Sequence, residues 1–297
     1  MSDVASSPAP AASREAPRRA DTGLAASLER TALGLAYWLK PQRIRNLPSL
    51  SLGVLGEMLR PGEPVPDTGR LRARPAGFAG VAHDLSTPTV LAAAARGFYP
   101  HGHVGPMKWW SPPVRAVMRL SDVHIAKRFR RTMRGSDFTL SFDRDFAGVM
   151  EACAARRPGR PHLTWITPRA RALYSRLHAE GHAHSVEVWD AEGKLVGGLF
   201  GVTVGPVFSA LSMFHTANDA SKIAIVGLYH HLSGWGFAAV DHQIMSPWVE
   251  TLGGVNFSRE DYVALLAEPA PQRAEPGPWS AEHSIADTAG WEPSAAL

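Results

Sequence analysis

Cysteine is nearly absent: Cys153 is the only one among 297 residues. A single thiol excludes an internal disulfide and any Cys-rich zinc pattern. No apolar run approaches the roughly 20 residues a membrane-spanning helix needs. The first residues, "MSDVASSPAPAASREAPRRADTG", lack the apolar core of a secretory leader. A cytoplasmic protein with no membrane partner is therefore expected. A Walker loop and a Rossmann fingerprint are also missing, since "GGLFG" lacks the strand–turn–helix setting such a loop requires. No Ser/His/Asp order stands out, and no internal repeat is visible. Charge of neither sign dominates, with 31 Lys+Arg against 27 Asp+Glu, so the overall balance names no partner.

What is present is unevenly placed. The run "KRFRRTMR", residues 127–134, holds five cations and no acid. Such a run is most often a solvated face, with a phosphate-binding surface the alternative. Trp109 and Trp110 shortly upstream give that alternative weight. A hydrophobic share of 45% is enough to build a core for one large domain or two smaller ones.

Residues 1–22 are rich in Ala, Ser, Pro and Arg and are expected to be a disordered tail. Leu24, Leu28, Leu33, Leu35 and Leu39 then recur at roughly helical spacing up to Pro41, predicting an amphipathic helix. Such a helix packs on the body of the protein or on a membrane surface, packing being the plainer reading. Residues 42–80 are broken by Pro and Gly and read as irregular. "STPTVLAAAARGFYP" predicts a helix with Ser86 as cap, Pro88 in its first turn and Gly97 at its stop.

From 121 onward helices and strands alternate: "SDVHIAKRFRRTMRG" (helix), "FTLSFD" (strand), "RDFAGVMEACAARR" (helix) and a helix from Thr167 to Gly181. A three-strand meander follows in "AHSVEVWDAEGKLVGGLFGVTVGPVFSALSMFH", with turns at "AEG" and "VGP". Then come the helix "DASKIAIVGLYHHLSGWG", the strand "AAVDHQIM" and a short helix capped by Ser246. After about 268 the chain is Pro/Ala/Glu-rich and reads as loose. The order implies an α+β protein with a mostly antiparallel central sheet. A helix that follows a strand pair and leads into a further strand is how N-acyltransferase-like domains are built.

Three clusters carry polar chemistry. His182, His184 and Glu187 are spaced like metal ligands, but on a strand the two histidines share one face and Glu187 takes the other. One metal needs converging ligands, so polar packing at the helix-to-sheet junction is expected and no metal is assigned. "WWSPPVRAV" can stack a base or plug a domain junction. In "VDHQIMS", Asp241 and Gln243 share a strand face while His242 points away. Two polar side chains among apolar neighbours are costly unless engaged. That makes them either a site or a pair tying strand to loop.

Together these segments resemble the leucyl/phenylalanyl-tRNA–protein transferases. The carrying residues are "RGFYP" (96–100), "WWSPPVRAV" (109–117), "HIAKRFRR" (124–131), "TWITP" (164–168), "YSRLHAEGHAHSVEVWD" (174–190), "LVGGLFGV" (195–202), "SMF" (212–214), "ASK" (220–222), "GF" (236–237), "DHQ" (241–243) and "LGG" (252–254). They run in unbroken order over roughly 85–265. The resemblance implies a small N-terminal domain (85–120) joined to a GNAT-like acyltransferase domain (121–268). A divergent extension (23–84) precedes them and a loose tail (269–297) follows.

The implied reaction moves an aminoacyl group, Leu- or Phe-like, from aminoacyl-tRNA to the N-terminal amine of a protein, marking it for degradation. It needs no cofactor, and family precedent favours a monomer. By position, Asp241 and Gln243 match the catalytic Asp-x-Gln. Leu199, Phe208, Leu211 and Val240 match the aminoacyl pocket. His101, Trp109 and Trp110 match the surroundings of the terminal adenosine. Lys127, Arg128, Arg130 and Arg131 match the tRNA-binding surface.

The chain departs from the family at "ALSMF", where relatives read "GESMF" and Leu211 replaces a glutamate, and at His101 after "FYP". These departures keep two alternatives open: transfer to another amine acceptor, a small molecule or a peptide, and a tRNA-binding relative without catalysis.

Overall fold

The structure is a computed structural model and describes residues 24–39, 44–103, 105–156 and 163–293. The expected disordered tail at 1–22 lies outside these residues. Helix α1 (Leu24–Trp38) follows the leucine spacing. The stretch expected to be irregular contains a second helix, α2 (Leu47–Leu59), with Pro48 in its first turn. Pro there forfeits no intrahelical bond. Gly53 is required within α2, because a Cβ at that position would sit 2.9 Å from the Phe78 ring against which the helix rests.

Strands β1 (Phe78–Val81), β2 (Tyr99–His101) and β3 (Lys108–Trp110) form a small antiparallel sheet in the order β1-β3-β2. Helix α3 (Thr87–Ala94) lies in its β1–β2 connection. Ser86 does not cap α3 through its side chain; the hydroxyl donates instead to Asp84 at 2.9 Å.

Strand β4 (Val114–Arg119) enters a second, seven-stranded sheet together with β5 (Thr139–Phe142), β6 (Ala183–Trp189), β7 (Leu195–Val204), β8 (Val207–His215), β9 (Ala239–Asp241) and β10 (Val255–Ser258). Its order is β10-β4-β9-β8-β7-β6-β5. The sequence places the domain junction at 120/121, whereas the change of sheet falls between Trp110 and Val114, and β1 joins the small sheet from before residue 85. Every pairing in the large sheet is antiparallel except β8 with β9. A parallel pair needs a crossover, and helix α7 (Ala220–Gly234) supplies it.

Helices cover both faces of the large sheet. On one face α5 (Phe146–Ala154) and α6 (Pro168–Ala179) pack over Phe200 and Val202. Asp145 caps α5 and Thr167 caps α6, each accepting a main-chain N–H. On the other face α7 and α4 (Lys127–Arg134) pack over Val186, Leu199, Phe208 and Val240. Gly197 allows α7 to come close, since a Cβ there would lie 2.6 Å from that of Ala220.

The described segment 269–293 is not loose. Trp279 is buried and stacks on His184 with centroids 3.7 Å apart. Helix α10 (Ile285–Gly290) packs against α4 and α7, burying Ile285 and Ala289. His231 secures the approach: its Nδ1 lies 2.7 Å from the Gly227 carbonyl, and its Nε2 accepts the N–H groups of Glu282 and His283. A Pro/Ala/Glu-rich composition hides these few anchoring aromatic and apolar residues.

Candidate active site

The geometry centres on the last residue of β9. Asp241 is fully buried and lies beside Ser209 of β8 and Val117 of β4. Its Oδ2 accepts from the Arg115 guanidinium, from Ser209 Oγ at 3.1 Å and from Tyr262 OH at 3.1 Å. Tyr262 stands on α9 (Arg259–Leu266), which follows the short helix α8 (Pro247–Thr251). The other oxygen, Oδ1, accepts the main-chain N–H of Gln243 at 2.7 Å.

Arg115 lies between the rings of Tyr99 and Tyr262, at 4.9 and 4.5 Å, and its second amino group donates to the Gly97 carbonyl at 2.8 Å. One guanidinium thus ties the small sheet unit to the large sheet. Burial would depress its pKa, but the facing Asp241 carboxylate together with Tyr262 and Tyr99 outweighs that and holds it above the ordinary value. The Tyr262 phenol is pushed well up by burial and by the neighbouring Asp241 charge. Four donors thus engage the carboxylate, three on Oδ2 and one on Oδ1.

Gln243 does not share a strand face with Asp241 as expected, because β9 ends at Asp241 and strand alternation stops there. Its φ of 63° is in the left-handed region, which non-glycine residues seldom adopt without support. The Asp241 carboxylate provides that support, together with the Ala116 N–H donated to the Gln243 carbonyl at 3.4 Å. His242 does point away, as expected: its Nε2 lies 2.5 Å from Tyr229 OH on α7, and burial lowers its pKa to about 4.

Beside this cluster is a narrow cleft of about 30 Å³, bordered by Phe98, Tyr99, Tyr174, Val202 and Leu211. Leu211 sits at a bulge, where the β7–β8 register shifts. Leu199, Phe208 and Val240 do not reach the cleft. Neighbouring strand residues face opposite ways, so Phe208 and Val240 point away from Ser209 and Asp241 into the α7 core. Leu199 lies in the same core, and all three are essentially unexposed. Of the four expected pocket residues, only Leu211 lines the cleft.

The remaining expected site residues also divide. His101 stacks on Trp165 at 5.3 Å, and burial lowers its pKa to about 4. Trp110 donates to the His101 carbonyl at 3.3 Å. Trp109 faces the other way, into the core. On α4, Lys127, Arg128 and Arg131 are exposed. Arg130 is buried and donates to the carbonyls of Ile125, Ala289 and Trp291, and it pairs with Glu292 at 3.1 Å. It is a tether for the C-terminal segment rather than part of a cationic surface.

Of the metal-like trio, His184 and Glu187 are committed elsewhere. His184 bonds Asp143 at 2.8 Å, while Glu187 accepts from Ser141 and Ser185 on the opposite face. Sequence reasoning did not single out Arg115, Ser209, Tyr99 or Tyr262. Arg115 lay within the quoted "WWSPPVRAV", but only the fold shows that a residue 126 positions away faces it.

The fold is α+β, and its buried carboxylate, engaged by four donors, lies beside a narrow and largely apolar cleft. Two family models match: leucyl/phenylalanyl-tRNA protein transferase over residues 117–267, and the N-terminal domain of the same family over 83–113. Curated leucyl/phenylalanyl-tRNA–protein transferases are similar over a longer stretch. That of Nitratidesulfovibrio vulgaris is 43% identical over 216 residues, covering 72% of this chain and 91% of the relative. That of Alkalilimnicola ehrlichii is 38% identical over 226 residues, covering 76% and 87%. A solved structure titled "The structure of L-PGS from Bacillus licheniformis" is 12% identical, with a TM-score of 0.32, over 52% of this chain and 51% of that one. The chain belongs to the leucyl/phenylalanyl-tRNA–protein transferase family and is an aminoacyltransferase.

Proposed function

We propose that this chain transfers an aminoacyl group, Leu- or Phe-like, from aminoacyl-tRNA to the N-terminal amine of a protein, with the cleft beside Asp241 as the reaction site. The observation that carries this reading is the held main chain of Gln243, fixed in a left-handed conformation by the Asp241 carboxylate next to an apolar cleft.

The neutral amine nitrogen attacks the carbonyl carbon of the aminoacyl ester. An amide bond forms, the ester C–O bond breaks, and the ribose oxygen leaves with a proton while the amine gives one up. The ester is already activated, so orientation supplies most of the rate. Gln243 accepts a hydrogen bond from the attacking amine, and its side-chain amide can also donate to the ester oxygen. Asp241 is a positioning residue rather than the base, since it is fully buried, paired with the Arg115 guanidinium and turned onto the Gln243 main chain. The cleft is too narrow for a leucyl side chain as it stands, so the Leu211 and Tyr174 side chains shift to admit one.

Exposed Lys127, Arg128 and Arg131 contact tRNA phosphates, and His101 and Trp110 adjoin the terminal adenosine. The unit running β7–β8–α7–β9 is read as GNAT-like, supported by the single parallel pair that ends at Asp241. The acceptor is then marked for degradation, and the working form is a cytoplasmic monomer without cofactor.

The test is transfer of labelled Leu or Phe from charged tRNA to a peptide beginning with Arg or Lys. Measurable transfer supports the reading, and none overturns it. Leu211 in place of the family glutamate favours one second reading, a different amine acceptor, which a panel of other amines would reveal.

A further inference from the structure

The two family models begin at residue 83, and the segment before it holds most of the large apolar side chains that the described residues expose. Leu28, Leu35, Leu39, Ile44, Leu52, Leu55, Met58 and Leu59 are each 45–74% exposed. Elsewhere only scattered single residues are as open, as is normal for any protein. On α2 the division is sharp. Leu50 and Gly53 face inward, with Gly53 against Phe78. Glu57 also lies on that side, beside Gly80, and accepts from the Gly62 N–H. Leu52, Leu55 and Leu59 stand three and four residues apart, so they form a second stripe away from the body. That outer face carries no charge, and exposed Arg45 and Arg60 bracket the helix at its two ends.

Residues 24–60 contain five cations, Arg30, Lys40, Arg43, Arg45 and Arg60, against two acids. Both acids are already engaged, Glu29 with Arg156 and Glu57 as above. Met1 and Val4 are the only large apolar side chains among the first 23 residues, too few to match this face. A second copy of the chain would bring like charges together. An anionic bilayer surface complements both features, taking leucines into its acyl boundary and arginines among its headgroups.

We propose that α1 and α2 form an interfacial docking surface for an anionic membrane, lying on it without crossing it. No helix among the described residues is long and apolar enough to cross a membrane, and this surface needs none. The expectation of no membrane partner rested on the lack of a spanning segment, which does not bear on an interfacial helix.

The full chain is sedimented with vesicles of phosphatidylcholine, alone or with about 30% phosphatidylglycerol. Binding to the anionic vesicles is expected to exceed binding to the neutral ones about tenfold and to weaken with salt. A Leu52→Ser/Leu55→Ser/Leu59→Ser variant, changed only at exposed positions, is expected to lose that binding while its melting temperature and aminoacyl transfer in solution stay as in the parent. An Arg45→Glu/Arg60→Glu variant is expected to lose the preference for anionic lipid. Equal binding of the parent to both vesicle types, or no binding, would overturn the proposal. So would a serine variant that sediments like the parent, or a parent dimer that the serine variant abolishes.

Discussion

The two faces of the seven-stranded sheet are built from the same strands and end in opposite chemistry. Phe208 and Val240 are sealed under α7, whereas their immediate neighbours Ser209 and Asp241 face the other side and meet Arg115 and Tyr262. Around Phe208 and Val240 one face buries aliphatic and aromatic side chains that carry no charge. The other buries a charge and must satisfy it completely. Adjacent residues can therefore be equally buried yet fail differently when changed: by a cavity on one face, by an orphaned charge on the other.

The largest expected effect exploits that difference. Phe208→Ala should destabilise the protein by about 3–5 kcal/mol through the cavity it leaves. Arg115→Ala should cost a similar 3–5 kcal/mol, because Asp241 is left charged and unpaired. Adding Asp241→Asn should relieve part of the Arg115→Ala loss and none of the Phe208→Ala loss. Urea unfolding of the single and double variants reads this out, and identical coupling on both faces would erase the distinction.

Next come the catalytic assignments. Asp241→Asn and Gln243→Ala should each lower aminoacyl transfer more than about tenfold, the usual scale for a positioned catalytic group, with charged-tRNA binding nearly intact. Parent rates in both would remove Asp241 and Gln243 from the mechanism. Phe208→Val, on the sealed face, should lower stability and leave the rate per folded molecule nearly unchanged.

The cationic helix offers a smaller contrast of the same kind. Changing Lys127, Arg128 and Arg131 to Ala should weaken tRNA binding and flatten its dependence on log salt by up to about 3 units, as fewer counterions are released. Stability should hold. Arg130→Ala should do the reverse, loosening α10 with little change in the salt slope. An unchanged slope in the triple variant would return α4 to an ordinary solvated surface.

Acidification tests buried histidines. Burial lowers His101 and His242 to about 4, and it lowers His230 to about 4 with help from His283 and His231. In the unfolded chain they titrate near 6.5. Below 6.5 the unfolded state binds more protons, so stability is full above that pH and falls as pH drops toward 4. Glu187, raised by burial, opposes this only at the acidic end. The melting temperature should be lower at pH 5 than at pH 7.5 by about 5 °C, and His242→Asn should make the dependence shallower.

Much of this was legible beforehand, because strand periods and glycine turns are local signals. The meander from "AHSVEVW" to "SMFH" and the cap at Thr167 appear as read. The site was legible only in part. Asp241 and Gln243 stand out as polar residues in an apolar setting, but the support for Gln243 is a positive φ, which an Asp-x-Gln string does not announce. Arg130 looked like its exposed neighbours because a run of cations does not show which one turns inward. Trp279 and Ile285 were missed because two anchors in a Pro-rich segment give no period.

The smallest effect concerns Leu211, the one expected pocket residue that the fold delivers to the cleft. A carboxylate there could hold the attacking amine, which the family glutamate suggests and an apolar leucine cannot do. Leu211→Glu should therefore raise transfer to an Arg- or Lys-initiated peptide, by about fivefold, the equivalent of about 1 kcal/mol. The gain is held below the full strength of a charged hydrogen bond because Arg115 lines the same cleft and competes for the new carboxylate. If that competition decides the outcome, the variant should lose activity and gain stability instead. Measuring both quantities separates the two cases. A parent that already transfers efficiently, with no gain from glutamate, would show that the amine is held by Gln243 alone.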